Sequence, residues 1–409
     1  MKLLKIPSLL LAGMMIISCQ STTKKQNDMK VFEKGTFGYD LNFLNENDSI
    51  VVLKNDDGSA QLALSPKYQA KVFTSTAEGL DGKSFGWVNY KAFGKPLDPH
   101  MNAYGGEDRL WLGPEGGKFS LYFKKGDSMV FDNWHTPAGI DSESWTLVKS
   151  DGKRASLNKE MELQNYAGTN LKIKLERDVE ILEKNNIEKV LNISLAGKVS
   201  SVAFKTQNTI TNSGTNEWTE KTGAPCIWSL DMFSPSPKTV IVIPYIESAT
   251  GKVATTDYFG EIAKNRITYK NGILLFKADG KSRGKLGIPP GRVKNVAGSY
   301  AADQNVLTIT MFDINNKAKY LNQEWTPDKD PFTGDAMNAY NDGPLADGSQ
   351  MGPFYELESV SPPTFLKPGE KHTHMHSVFH FTGDRTALNE IAVKVLGVSL
   401  DEIAGAFKD

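Results

Sequence analysis

Cysteine is almost absent from this 409-residue chain, which holds only Cys19 and Cys226. With Cys19 read as a lipidation site, Cys226 has no partner and an intramolecular disulfide is excluded. Between Pro225 and Ile227, Cys226 reads as a small buried hydrophobe and not as a nucleophile. An excess of one charge is absent too. Lys plus Arg number 47 against 48 Asp plus Glu, a formal charge of -1, so no global basic field points to nucleic acid. Past the N-terminus no apolar run is long enough to suggest a membrane span. Regular repeats and low-complexity stretches are missing as well. Met-Asn-Ala-Tyr occurs twice, at 101–104 and 337–340, which a chain of this length produces by chance.

What is there begins with a processing signal. A short basic start, MKLLK, leads into the apolar IPSLLLAGMMI and ends in Ile-Ile-Ser-Cys at Cys19. The run is too short for a span and closes on small residues, as secretory signals do. Ile-Ile-Ser-Cys resembles the lipobox of bacterial lipoproteins, and an ordinary cleaved signal is the alternative. Residues 1–19 are therefore set aside, and the polar 20–35 is expected to be a flexible tether. The expectation is a lipid-anchored protein of a Gram-negative cell envelope, periplasmic or surface-exposed, meeting the membrane through its anchor alone.

About 370 residues remain, enough for a large core. They read as strands punctuated by turns. SIVVLKNDDGSAQLALSP is a hairpin around Asp57-Gly58, and KFSLYFKKGDSMVF predicts another around Gly126-Asp127. LKIKLERDVEIL, TVIVIPYI, GILLFKA and VLTITMFDI are further strand-like runs. Helical spacing shows clearly only in Leu388, Ile391, Ala392, Val395 and Leu396. The fold class is all-β, a sandwich or barrel over 36–383, with an amphipathic helix in 384–409 packed upon it. Two Gly/Pro/Asp-rich stretches, 94–117 and 323–353, read as long loops of the kind that form lids or binding surfaces.

Three constellations carry chemistry. In GGEDRLWLGPEGG, Glu107, Asp108 and Arg109 sit beside Trp111, a combination suited to sugars: polar groups fix hydroxyls while an aromatic face covers C–H patches. A structural ion pair with Trp111 in the core is the equal alternative. In GPFYELESVSPP, Glu356 and Glu358 share one face of a strand, where like charges would raise one pKa for acid–base work; a merely solvated acidic face is the competing reading. EKHTHMHSVFH places His372, His374, His376 and His380 on one face of a strand launched by Pro368-Gly369. The Pro-Gly turn is expected to fold this strand antiparallel to the Glu356 strand. A zinc site would need a neighbouring ligand such as Glu356 or Glu358. A polar face lined by imidazoles ranks above it, so no metal and no cofactor is expected. His100 and His135 are further cavity candidates.

The order of GGEDRLWLGPE, ITNSGTNEWTEKTGAPCIWSL, GKLGIPPG and YELESVSPPTFLKPGE resembles that of the galactose-mutarotase-like superfamily, which includes aldose 1-epimerases. The resemblance spans about 36–383 and is nearest to a bacterial lipoprotein branch. It implies a β-supersandwich and a carbohydrate ligand. It also implies a late catalytic Glu, at Glu356 or Glu358, with Glu358 slightly favoured. The family's acid His has no counterpart; Trp228 and Ser229 stand in that segment. The groove is expected to be lined by Glu107, Arg109, Trp111, Trp228 and Lys285, with His374 and His376 as sugar-contacting or Glu-orienting residues. Function is expected to be sugar or glycan binding with epimerase-like or lyase-like proton transfer. The alternatives are a non-catalytic glycan-binding lipoprotein and a metal-dependent enzyme using His372, His374 and His376.

Overall fold

Asp57-Gly58 turns the chain between β1 (Val51–Lys54) and β2 (Gln61–Ser65), with Gly58 at φ 73° and Lys54 opposite Gln61. Glycine reaches that left-handed conformation without the Cβ clash other residues meet. β3 (Lys71–Thr76) completes this three-stranded sheet. The computed structural model describes residues 30–195 and 197–407. The signal segment, Cys19 and most of the 20–35 tether lie outside them.

The remaining strands, in chain order, are β4 (Arg109–Gly113), β5 (Thr146–Ser150), β6 (Arg154–Gln164), β7 (Asn170–Ile181), β8 (Val199–Asn212), β9 (Cys226–Phe233), β10 (Thr239–Pro244), β11 (Ile267–Lys270), β12 (Ile273–Lys277), β13 (Gly284–Ile288), β14 (Val296–Ala301), β15 (Val306–Phe312), β16 (Met337–Asn341), β17 (Tyr355–Val360) and β18 (Lys371–Gly383). They form a ten-stranded sheet, β11-β12-β10-β14-β15-β18-β8-β7-β6-β5, and a five-stranded sheet, β13-β16-β17-β9-β4. One apolar cluster takes Leu112, Ile227 and Leu357 from the smaller sheet and Ile173, Phe204 and Val378 from the larger. The two sheets therefore pack face to face, and the all-β sandwich class is as expected.

The outer face of the ten-stranded sheet is closed by α3 (Arg385–Leu396) and α4 (Leu400–Ala404). Leu388, Ile391 and Leu396 pack there on Ile309, Phe379 and Phe381. Asp384 caps α3 by accepting from the Ala387 N–H, and Gly397 ends it at φ 77°. The C-terminal segment is thus two helices with a glycine turn between them, not one. Two more arise where no long periodic pattern signals them: α1 (Phe37–Asn45) and α2 (Lys184–Leu191). Each buries only two apolar side chains, Phe37 and Leu44 in one, Ile187 and Leu191 in the other, too few to stand out as a stripe. Among the described residues no helix is long and apolar enough to cross a membrane.

Three other expectations need correction. No strand forms between 117 and 131; Phe119, Leu121, Tyr122 and Phe123 are all buried there, so the segment packs as coil and does not alternate. The supposed loops 94–117 and 323–353 contain β4 and β16. And β17 and β18 are not neighbours in one sheet: the ten residues between them carry the chain from the smaller sheet to the larger.

Candidate functional site

Cross-strand register decides which side chains meet. Glu356 lies opposite Met232 and Tyr340, Glu358 opposite Leu230 and Asn338, and Val360 opposite Trp228. Arg109 lies opposite Leu230, Trp111 opposite Trp228, and Lys285 opposite Tyr340. Directly opposed residues share a face. Four strands thus bring Arg109, Trp111, Trp228, Lys285, Glu356 and Glu358 to one side of the five-stranded sheet, the side turned away from the ten-stranded one, and β16 adds Tyr340 between them.

On that side the charges are paired. The Arg109 guanidinium donates to Glu356 Oε1 and lies 5.1 Å from the Trp111 ring centroid. Glu358 Oε2 accepts from Lys285 Nζ at 3.0 Å and from the Trp228 indole N–H at 2.9 Å. Lys285 Nζ also stands 4.8 Å over the Trp228 ring, a cation–π contact. Burial lifts the Glu356 carboxyl well above the usual carboxylate range; Arg109 opposes that rise and the Glu358 charge adds to it. Burial alone would depress the Lys285 ammonium, but Glu358, Glu115 and Glu356 outweigh it and hold the group above its ordinary value. The two glutamates differ in access. Glu356 lines a central cleft of about 120 Å³ together with Arg109, Trp111, Trp228 and Lys285. Glu358 is sealed beneath, 1 % exposed, with Oε1 left unpartnered.

Glu107, His374 and His376 do not belong to this face. They lie between the sheets, on the opposite side of the smaller one, and cannot touch a ligand in the cleft. The chain reaches Arg109 through Gly105 and Gly106, at φ 88° and 131°. A Cβ on Gly105 would stand 2.2 Å from the Trp87 carbonyl oxygen. This crossing sends Glu107 and Asp108 into the interior, and regular alternation starts only at Arg109. Glu107 Oε1 accepts from Ser75 at 2.6 Å and meets His380 Nε2 at 3.0 Å. Asp108 pairs with Arg177 at 3.0 Å, both side chains fully buried.

The histidines share one face, as their spacing requires, but that face is the interior. Ser359 Oγ, one residue past Glu358 and pointing the other way, lies 2.9 Å from both His374 Nε2 and His376 Nδ1. His376 Nε2 meets Asp231 Oδ2 at 2.8 Å. Burial, helped by the neighbouring imidazoles, pushes His374 down to about 3. Burial would lower His376 too, but the Asp231 charge and hydrogen bond raise it overall. Neither ring contacts Glu356 or Glu358. Among the described residues no three or more His, Cys, Asp or Glu side chains are grouped to hold a metal. His100 and His135 stack on each other at 4.9 Å in loops near the cleft, and Phe131 stacks on His100 at 4.5 Å.

Sequence reasoning missed much of the wall. The central cleft shares Glu115, Phe259, Arg283, Lys285, Tyr340 and Met351 with a cavity of about 660 Å³, so the two are continuous. Glu115 lies two residues past β4, and its carboxyl accepts from the Trp325 indole at 3.2 Å. Burial raises this carboxyl, against the lowering effect of Lys285. Tyr340 donates to Asp342 at 3.0 Å and accepts from Arg283 Nε at 3.3 Å. A signal for Trp325, Tyr340 and Met351 existed: all three fall in the second long loop-like stretch.

No curated protein matches the sequence significantly. Among solved structures, the chain is similar to a galactose mutarotase-like protein from Lactobacillus casei at 9 % identity, over 81 % of this chain and 100 % of that one, with a TM-score of 0.48. It is similar to a Synechocystis protein at 13 % identity, over 87 % and 100 %, with a TM-score of 0.47. A candidate aldose 1-epimerase from Escherichia coli matches at 13 % identity, over 81 % and 98 %, with a TM-score of 0.46. The sandwich assignment rests on the strand pairing itself. Residues 35–407 match the model of a family of unknown function, DUF6786, and the chain belongs to that family.

Proposed function

We propose that the protein binds a carbohydrate in the groove over the five-stranded sheet, and that Glu356 moves a proton on the bound sugar. One observation carries the reading: four strands distant in sequence bring Arg109, Trp111, Trp228, Lys285 and Glu356 to one cleft. Indole faces cover the apolar side of a sugar ring, while the guanidinium, ammonium and carboxylate order its hydroxyls. Glu356 is the group in reach; Glu358, beneath it, holds Lys285 and Trp228 in place. Glu115, a second carboxyl on the same cleft with its pKa raised by burial, supplies the complementary acid–base group that no histidine provides.

A non-catalytic glycan-binding role is the second reading. It is favoured by the engagement of both strand glutamates in ion pairs, which leaves neither carboxylate free. Both readings share a binding test by calorimetry against a glycan panel. Arg109→Ala and Trp111→Ala should each weaken binding, the first by roughly ten- to a hundredfold for the lost charge-assisted hydrogen bond and the second through the lost stacking surface. Affinity untouched by both changes would put the ligand elsewhere.

The same proposal places the domain at the cell envelope, tethered by a lipid on Cys19 and touching the membrane through that anchor only. The Ile-Ile-Ser-Cys motif and the short apolar run before it support this. Metabolic labelling with a fatty-acid analogue should tag the protein and fail in Cys19→Ser. Equal labelling of that variant would refute the anchor.

A further inference from the structure

The groove does not end at the central cleft. Beyond Met101 and Met351, which line that cleft, lies a second cavity of about 760 Å³ that both residues also line. It is framed by the Trp87–Ala92 segment, by 101–103, and by the strap 350–353 that leads into β17. Met351 borders all three spaces, so the 660 Å³ cavity, the cleft and the 760 Å³ cavity meet at one residue. Each large cavity by itself falls in the size range of a site for a drug-sized molecule.

A file of aromatic rings follows the same path. Trp87, on the second cavity, lies 4.7 Å from Phe354; Phe354 lies 5.6 Å from Tyr340; Tyr340 lies 6.0 Å from Phe259, on the first cavity. At the other wall Trp134 lies 6.0 Å from Trp325 and 6.1 Å from Phe131, in near-parallel pairs. Large rings on these walls are not all consumed by the core: Phe131 and Phe259 are 58 % and 42 % exposed, and Met351 is 42 % exposed. A ligand confined to the cleft of about 120 Å³ would leave both flanks unused. Charge narrows the ligand further. The first cavity sets the carboxylates of Glu115, Asp257, Glu324 and Asp342 against the cations Arg283 and Lys285, and the second sets Lys34, Lys91 and Lys95 against Asp40 and Asp98, so no single sign prevails along the path to favour a polyionic chain.

We infer that the groove takes an extended, uncharged glycan chain of several sugar units. The chain runs from the Phe259 and Trp325 cavity through the Glu356 cleft and past Met351 onto Trp87. This rests on the carbohydrate reading above and specifies its ligand. Sugar units added beyond the cleft gain aromatic partners on either flank, so affinity grows with chain length until both flanks are filled.

The test is calorimetry of the full domain with ladders of one to six units. Neutral glucan, mannan, xylan, galactan and chitin series are compared with an oligogalacturonate series. The expected result is a neutral ladder whose affinity rises roughly two- to tenfold for each unit that gains an aromatic partner. In Trp87→Ala the ratio of hexamer to monosaccharide affinity should fall several-fold, and Met351→Trp, a bulkier side chain on an exposed strap, should narrow the passage and flatten the length dependence. Binding that is independent of length overturns this inference and leaves the carbohydrate reading standing. Length-dependent binding of the uronate ladder alone overturns the uncharged class. Absence of binding by every ladder, monosaccharides included, overturns both.

Discussion

Asp108→Ala should lower the free energy of unfolding by about 3–5 kcal/mol, the loss typical when one member of a buried ion pair is removed. Arg177 is fully buried, and Asp108 is its carboxylate partner. Its other bonds run to the Ala70 carbonyl at 3.0 Å, to Asn208 Oδ1 at 2.8 Å and to the Asp108 backbone carbonyl at 3.3 Å, neutral groups that do not balance the charge. Asp108 also accepts from Thr206 at 3.0 Å, so that hydroxyl loses a partner too. Urea titration with an unchanged m-value gives the measurement. A loss under about 1 kcal/mol would mean that water reaches Arg177 in the variant. Replacing both partners, as Asp108→Leu with Arg177→Met, should recover most of the loss, since the uncompensated charge is what costs energy.

The second large effect concerns turnover. With a sugar that the protein converts, Glu356→Gln should lower kcat by about 10²–10⁴-fold, as expected for removal of an acid–base group. Substrate affinity should change little, because the amide keeps the shape and still accepts from Arg109. Acting as a base, Glu356 must be ionised. Its pKa is raised by burial and by Glu358 against the pull of Arg109, so the rate should climb with pH through values above the ordinary carboxylate range. That limb should vanish in Glu356→Gln. Glu358→Gln should act more weakly, through the loosened Lys285 and Trp228. The reverse pattern, a collapse in Glu358→Gln with Glu356→Gln unaffected, would return the proton-transfer role to Glu358.

Alternation along strands was legible in the sequence, and the assignment of faces was not. Even-numbered His372 to His380 do share a side of β18, and Glu356 and Glu358 do share a side of β17. Spacing of two fixes what shares a side but not which sheet the strand joins or which side meets the other layer. Polarity misleads here, because the sandwich interior holds Asp108, Arg177, Asn208, Asp231, His374 and His376, residues that composition alone places outward. Glu107 was placed with Arg109 because the two are near neighbours in GGEDRLWLGPEGG; the Gly105–Gly106 crossing turns Glu107 to the interior just before β4 begins. Arg109, Trp111 and the two glutamates were reached through residue type and strand spacing, Trp228 and Lys285 through the order of motifs. Glu115 and Trp325 were missed because they lie in coil, where no period links one side chain to the next.

The five strands beneath the groove come from residues 109–113, 226–233, 284–288, 337–341 and 355–360. Their hydrogen-bonded neighbours are far apart along the chain: β4 pairs with β9 across more than a hundred residues, and β9 pairs with β17 across as many again. Such pairing is slow, because long stretches must close before any contact forms. A nascent polypeptide emerging in order holds Arg109 and Trp111 long before the two carboxylates exist. A fragment ending before β17 has the aromatic walls and Lys285 but neither Glu356 nor Glu358, and Arg109 and Lys285 lack their principal anions. The groove is therefore among the last parts of the molecule to acquire its chemistry, and no shorter piece of the domain should be expected to act as a working miniature of it.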